Sequence, residues 1–232
     1  MTQQSIGIFL PCRQGSQRVP LKNINPIGKY TLGLFEIKIR QLLAIPNIEI
    51  YLSTDDKIII DYVSEHLNNN RVKVFIRDPF LASATTSTDD LVMHAHELVQ
   101  ADHILWTHVT SPFITKSIYE SAIEQYFKNL LMNFDSLMSV SSIYSFIWDT
   151  NGPINYNREH EKWPRTQTIK PLYEINSGIF ISSKSGYSEY RDRIGTNPFL
   201  FKLEKISGLD VDDKEDYKIV QSLILGGYNL EI

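Results

Sequence analysis

Disulfides, a membrane span and a surplus of positive charge are all missing from this sequence. Cys12 is its only cysteine, so no internal disulfide can form, and a reducing compartment fits. Apolar runs are short. The first, Ile6 to Leu10, follows Met-Thr-Gln-Gln-Ser instead of a basic segment. Neither it nor any later run reaches the roughly 20 residues of a membrane helix, and the first is too short for a signal peptide. A soluble, cytoplasmic protein is the expectation. Lys and Arg number 23 against 27 Asp and Glu, a net charge of −4. Proteins that coat nucleic acid carry a basic excess, so that class is disfavoured. Fixed-period repeats, low-complexity tracts and long like-charge blocks are also absent, which removes solenoids and disordered tails. What is present is ordinary globular usage, 42% hydrophobic and 22% charged over 232 residues, enough to build a real core.

Two periodicities alternate along the chain. Ile6 to Leu10 reads as a buried strand ending at Pro11, and Leu32, Phe35, Ile39 and Leu42-Leu43 recur at helical spacing. Further strands are expected at Ile48–Ser53, Val72–Ile76, Ile104–Val109, Ser136–Ile143, Asn176–Ile181 and Phe199–Ile206. Further helices are expected at Lys57–Leu67, Asp89–Gln100, Ser117–Phe127 and Lys214–Leu225. Such alternation predicts an α/β fold with three layers, a mostly parallel central sheet between helices. Ligands of these sheets bind beyond the carboxyl ends of the strands, so the loops after the first, second and fourth strands are where chemistry is expected. The pattern breaks between about Tyr144 and Tyr173, which holds Asn151-Gly152-Pro153, Trp148 and Trp163. This stretch is either an arm that packs on a partner subunit or a lid over the chain's own core.

The loop after the first strand is the most informative segment. Pro11-Cys12-Arg13-Gln14-Gly15-Ser16-Gln17-Arg18-Val19-Pro20-Leu21-Lys22-Asn23 places three cations, a glycine and a serine at the carboxyl edge of the sheet. Gly15 lets backbone N–H groups approach an anion. Ser16 can donate a hydrogen bond. Arg13 offers a forked grip on phosphate and Lys22 a mobile point charge. The set suits a triphosphate, and a solvated basic turn is the bland alternative. Walker and dinucleotide glycine patterns are both absent.

Arg13-x-Gly15-Ser16-x-x-x-Pro20-x-Lys22-Asn23 resembles the signature loop of the acylneuraminate cytidylyltransferases, the CMP-sialic acid synthetases. The resemblance continues, in the family's order, through Ser53-Thr54-Asp55-Asp56, Arg77 with Leu81 to Thr88, and Thr110-Ser111-Pro112. It continues again through Asn176 to Ile181, Asp210-Val211-Asp212 and Asp216-Tyr217. It implies a single nucleotidyltransferase domain over residues 1–232, of Rossmann-like fold. It also implies an arm at about 144–173 that serves dimerisation and sugar binding. The implied reaction moves CMP from CTP to the anomeric hydroxyl of a nine-carbon 2-keto acid, with Mg²⁺ assisting and pyrophosphate leaving. The product would feed surface-glycan assembly.

By the same resemblance, Arg13 and Lys22 neutralise charge at the reacting phosphates, as phosphoryl transfers require. Gly15, Ser16 and Asn23 hold phosphate or nucleotide, and Arg77 and Thr88 match positions that contact the cytidine. Asp210 and Asp212 match the family's metal pair. One residue apart in an extended segment, they share a side and offer the hard oxygen ligands Mg²⁺ prefers. Read without the family, Asp212 or Asp213 is an N-cap for the helix from Lys214. Both readings can hold together.

The nucleotide half matches the family better than the sugar half. Arg165 is the expected partner for the acid's carboxylate, with His108, Gln167, Tyr173 and Asn176 as further sugar contacts. Cys12, Gln17, Ala84 and His108 stand where the family commonly has alanine, lysine, aspartate and glutamine. These departures leave two alternatives open. One is the same reaction on legionaminic, pseudaminic or an eight-carbon ulosonic acid. The other is a nucleotide-binding homologue without catalysis. His94 and His96, two apart on a helix, point away from each other and make a poor zinc pair. Ser53 to Asp56 reads as a helix start capped by Thr54 or Asp55. Ser111-Pro112 lacks the Gly-x-Ser-x-Gly turn of a serine hydrolase.

Overall fold

The computed structural model describes residues 4–67, 69–83 and 86–232. Chain order is β1 (Ile6–Pro11), α1 (Gly33–Ala44), β2 (Glu49–Thr54), α2 (Lys57–Tyr62), β3 (Val72–Ile76), α3 (Pro79–Ala82), α4 (Thr88–Leu98) and β4 (His103–Thr107). There follow α5 (Lys116–Leu130), β5 (Ser136–Ile143), β6 (Trp148–Asp149), β7 (Gly152–Pro153), β8 (Leu172–Ser183), α6 (Lys184–Tyr190), β9 (Pro198–Leu203) and α7 (Lys214–Leu225). Among the described residues the main sheet has seven strands in the order β3-β2-β1-β4-β8-β5-β9. β8 runs antiparallel to both its neighbours. The other pairings are parallel, so the sheet is mostly parallel, as expected.

The period-2 alternation of the strands sorts the core into layers. Ile8, Leu10, Ile50, Leu52, Leu105 and Ile181 face α1, α2 and α5. Phe9, Tyr51, Ile104, Trp106 and Phe180 face the opposite way, toward α4 and α6. A third cluster joins Leu34 and Ile37 of α1 to Val220 and Ile224 of α7 and to Val19 of the first loop. α1 is therefore covered on both sides, which explains why its apolar residues do not form a single stripe. β1 can lie against its neighbours because Gly7 is bare. A Cβ there would meet Val99 Cγ1 at 2.7 Å.

Several local expectations are corrected. The cap of α2 is Asp56, whose Oδ1 accepts from Ile58 N at 3.0 Å. Thr54 Oγ1 accepts instead from Asp56 N, and Asp55 Oδ1 from Gln14 N at 2.7 Å. Thr54 is the last residue of β2, so Asp56 is the first free to cap. β8 begins at Leu172 and takes Tyr173 out of the arm and into the sheet. The short helices α3 and α6 and the β6–β7 hairpin lie outside the expected elements.

β5 carries a register shift between Met138 and Val140 opposite the Asn176-Ser177-Gly178 segment of β8. Ser177 has a positive φ of 54° there, which re-aims its carbonyl, as such irregularities do. No helix among the described residues is long and apolar enough to cross a membrane.

Candidate active site

The loop after β1 folds over the carboxyl edge of the sheet and encloses a cleft of about 400 Å³ with residues 108–110 beyond β4. Gly15 turns the loop at φ +80° and has open space around it. Val19 anchors the far side in the core. Arg13, Ser16, Lys22 and Asn23 line the cleft together with Arg18 and His108. Asn23 Nδ2 donates to the Arg13 carbonyl at 3.2 Å, fixing the loop's two ends. Its Oδ1 is buried and has no hydrogen-bond partner among the described residues.

Residues 210–213 lie against two of the cleft's lining side chains, Lys22 and Arg18. Val211 is buried and its N–H donates to the Thr110 carbonyl at 2.9 Å. Lys22 Nζ donates to the Val211 carbonyl at 2.5 Å. The carboxylates on either side of Val211 have separate partners. Ser111 Oγ donates to Asp210 Oδ1 at 3.2 Å, and Arg18 Nη2 pairs with Asp212 Oδ1 at 2.9 Å. Burial pushes the Lys22 ammonium below its usual range, while Asp210 and Asp212 pull it back up. Asp213 is the N-cap of α7, in a reciprocal capping box with Asp216. The cap and the carboxylate pair are thus different residues. Among the described residues no group of three or more His, Cys, Asp or Glu gathers as for a metal. Two carboxylates beside a phosphate-sized cleft still suit Mg²⁺, which takes its remaining ligands from phosphate and water.

Other expected residues lie elsewhere. Arg77 is buried and donates Nε to Ser53 Oγ at 3.1 Å and Nη2 to the Ser53 carbonyl at 2.8 Å. His94 Nε2 meets the same hydroxyl at 2.8 Å, and burial followed by the Arg77 charge lowers its pKa. Thr88 is the exposed first residue of α4, and Ala84 lies outside the described residues. Cys12 does line the cleft, but burial pushes its thiol up to about 12, unlike a reactive thiolate.

On the sugar side, His108 lines the cleft but both ring nitrogens are engaged. Trp106 Nε1 donates to Nε2 at 2.9 Å, which leaves Nδ1–H to donate to the Ser177 carbonyl at 2.8 Å. Burial lowers its pKa, in keeping with an Nε2 that accepts from Trp106. Asn176 is buried and spent on β5, with Oδ1 accepting from Ser139 Oγ at 2.6 Å and Nδ2 donating to Ser141 Oγ at 3.2 Å. Tyr173 sits on β8 with Lys202 over its ring, 5.3 Å from the centroid. Arg165 and Gln167 are exposed on the arm and do not line the cleft.

Arg18 was counted among the loop's cations but given no role, and Lys38 escaped the sequence reading. Arg18 is the cation directly after Gln17, the position where a lysine is missing, and that adjacency is the available signal. Lys38 is fully buried in α1, and burial lowers its pKa to about 7.

The chain's residues 8–217 match the family model described as Cytidylyltransferase. The chain belongs to the cytidylyltransferase family. It is 26% identical over 224 residues to an N-acylneuraminate cytidylyltransferase of Streptococcus agalactiae, covering 90% of this chain and 51% of that protein. The chain thus spans about half the length of that relative. It is 23% identical over 235 residues to a pseudaminic acid cytidylyltransferase of Campylobacter jejuni, covering 93% of this chain and 94% of that one. A CMP:2-keto-3-deoxy-manno-octonic acid synthetase solved with CTP shares the fold, with a TM-score of 0.65, 18% identity and coverage of 96% and 99%. So does a 4-diphosphocytidyl-2C-methyl-D-erythritol synthase from Anaerococcus prevotii, with a TM-score of 0.67, 14% identity and the same coverage. In this chain the loop after β1 and the Asp210–Asp212 segment meet through Lys22 and Arg18.

Proposed function

We propose that this protein transfers CMP from CTP to the anomeric hydroxyl of a sialic-acid-like 2-keto acid. The observation that carries the reading is Lys22, held in one cleft between the phosphate-type loop and the Asp210–Asp212 segment. The sugar oxygen attacks the α-phosphorus, the bond from that phosphorus to the bridging β-phosphate oxygen breaks, and pyrophosphate leaves. The hydroxyl proton passes to a carboxylate of the Asp pair or to solvent. Arg13, Arg18 and Lys22 supply fixed positive charge where the phosphoryl oxygens and the leaving group become more negative. Bound Mg²⁺ would further neutralise the phosphates, with Asp210 and Asp212 as its protein ligands.

Relatives named for N-acylneuraminate and for pseudaminic acid support the acceptor class. Pseudaminic acid ranks as an equal candidate because the match to that relative runs nearly end to end on both chains. His108 offers no free ring nitrogen, so the acceptor's hydroxyls must find other partners. A catalytically silent homologue is disfavoured by the complete set Arg13, Lys22, Asp210 and Asp212.

Residues 1–232 act here as one nucleotidyltransferase unit in the cytoplasm, with a homodimer as the working form. Support for the dimer comes from the arm. Phe146 packs edge-on against Tyr156 and Trp163, and Arg158 sits near the rings of Trp148 and Trp163, yet Trp163 remains 65% exposed. Such an aromatic surface suits a partner subunit, which would also bring Arg165 and Gln167 toward a site. A monomer by light scattering at micromolar concentration would remove the dimer.

The reaction itself is tested by mass spectrometry of mixtures containing the protein, CTP, Mg²⁺ and one of N-acetylneuraminic, legionaminic, pseudaminic or an eight-carbon ulosonic acid. A CMP conjugate of one acid establishes the reaction and its acceptor. CTP binding with no conjugate from any acid would defeat this assignment.

A further inference from the structure

α1 sends a lysine into the interior beneath the site. Lys38 Nζ donates to the Ser111 carbonyl at 2.7 Å, to Tyr119 OH at 2.8 Å and to the Ile114 carbonyl at 3.4 Å. No carboxylate among the described residues forms an ion pair with it. Burying an unpaired ammonium is expensive, so the charge calls for an explanation.

Holding the loop after β4 does not require a charge. Gln41, one turn further along α1, ties the same loop with a neutral amide. Its Nε2 donates to the Pro112 carbonyl at 2.8 Å and to the Leu230 carbonyl at 3.1 Å. What distinguishes Lys38 is where its cation leads. The residue whose carbonyl it grips, Ser111, donates its hydroxyl to Asp210 Oδ1. The residue before it, Thr110, accepts from Val211 N. Asp210 is also the opposite charge that acts on the buried ammonium. The contacts run from α1 through the loop to the carboxylate pair.

We propose that Lys38 is a positioning residue for Asp210, acting through Ser111: it fixes the loop so that the Ser111 hydroxyl sets the orientation of the Asp210 carboxylate. The proposal rests on the reading of Asp210 as part of the nucleotide site. A purely structural lysine would matter for stability alone. A purely electrostatic one would repel a divalent cation, so that deleting it would tighten metal binding. Only positioning makes its removal weaken metal binding.

The test measures Mn²⁺ binding by electron paramagnetic resonance in the presence of CTP and without acceptor. It is run at pH 6.5, where the Lys38 ammonium persists. The variants are K38M, S111A, the double variant and Q41M. Positioning through Ser111 predicts that Mn²⁺ affinity falls about tenfold or more in K38M, as losses of such supporting contacts do. S111A and the double variant should fall by the same factor, because removing either link breaks the chain. Q41M should melt earlier yet bind Mn²⁺ as the wild type does. K38Q, with the amide donors that Gln41 uses, should retain most of the Mn²⁺ affinity, and if K38M does not fold, the loss in S111A together with this retention carries the test. Unchanged or tighter Mn²⁺ binding in K38M, or losses that multiply in the double variant, overturn the proposal alone. A wild type that binds neither CTP nor Mn²⁺ overturns it together with the function reading.

Discussion

Arg18, which lines the cleft, pairs with Asp212, Nη2 to Oδ1 at 2.9 Å, joining residues 194 apart in sequence. Their side chains are 66% and 60% exposed, so the pair contributes at most about 1 kcal/mol to stability. It is therefore cheap to break. On the proposed function, a triphosphate entering the cleft would offer Arg18 a stronger, forked partner, and the exchange would leave Asp212 free for a metal.

Arg18→Ala should separate binding from folding. The KM for CTP is expected to rise about tenfold, the equivalent of one charge-assisted contact. The melting temperature should move by less than about 4 °C. Steady-state kinetics and a thermal melt check this, and an unchanged KM removes Arg18 from the phosphate site.

Lys22→Ala should act on the chemical step. Its Nζ lies in the cleft against the Val211 carbonyl, and loss of one charge acting on the transferred phosphates would cost about 10²–10³ in kcat. Folding should be nearly unaffected, since the side chain belongs to none of the apolar clusters. A single-turnover rate within about threefold of wild type would end its catalytic assignment.

The adjacent acids of the last loop should part company. Asp213→Ala removes the double acceptor for Glu215 N and Asp216 N. It should lower the melting temperature by about 2–4 °C while leaving Mg²⁺ titration of activity unchanged. Asp212→Asn should do the reverse. A shared phenotype would show that cap and metal functions are not divided between them.

How much of this was readable in advance follows from what each residue's pattern encodes. The strands β1 to β5 and the helix from Lys214 to Leu225 follow from hydrophobic period, and the structure reproduces them within a residue or two. The loop from Arg13 to Asn23 was legible because its glycine and cations are local in sequence. The direction of β8 was not, because a period of two is the same in parallel and antiparallel strands. Arg77 and Asn176 were assigned contacts to nucleotide and sugar from the family resemblance. Their burial depends on Ser53 and on Ser139 and Ser141, partners that only the fold supplies. Lys38 is flanked by Ile37 and Ile39, and its burial reflects the two-sided covering of α1 by α7 and the sheet.

The pH dependence of stability should report Lys38. Its folded pKa of about 7 lies below a lysine's ordinary value of 10.5, so the unfolded chain binds the extra proton between those values. Its contribution to stability should therefore rise from about pH 7 toward pH 10.5 and be flat below pH 7. Subtracting the Lys38→Met unfolding curve from that of the wild type isolates this slope in urea melts. A difference that is level across that window contradicts the depressed lysine.

The bond that breaks can be read directly with CTP labelled at the α- or the γ-phosphorus, incubated with the protein, Mg²⁺ and the accepted 2-keto acid. Cytidylyl transfer predicts that α-label moves into a sugar conjugate and γ-label into pyrophosphate, in equal amounts and only when the acid is present. Label from the γ-position in the sugar, or α-label released as free CMP without a conjugate, would contradict it.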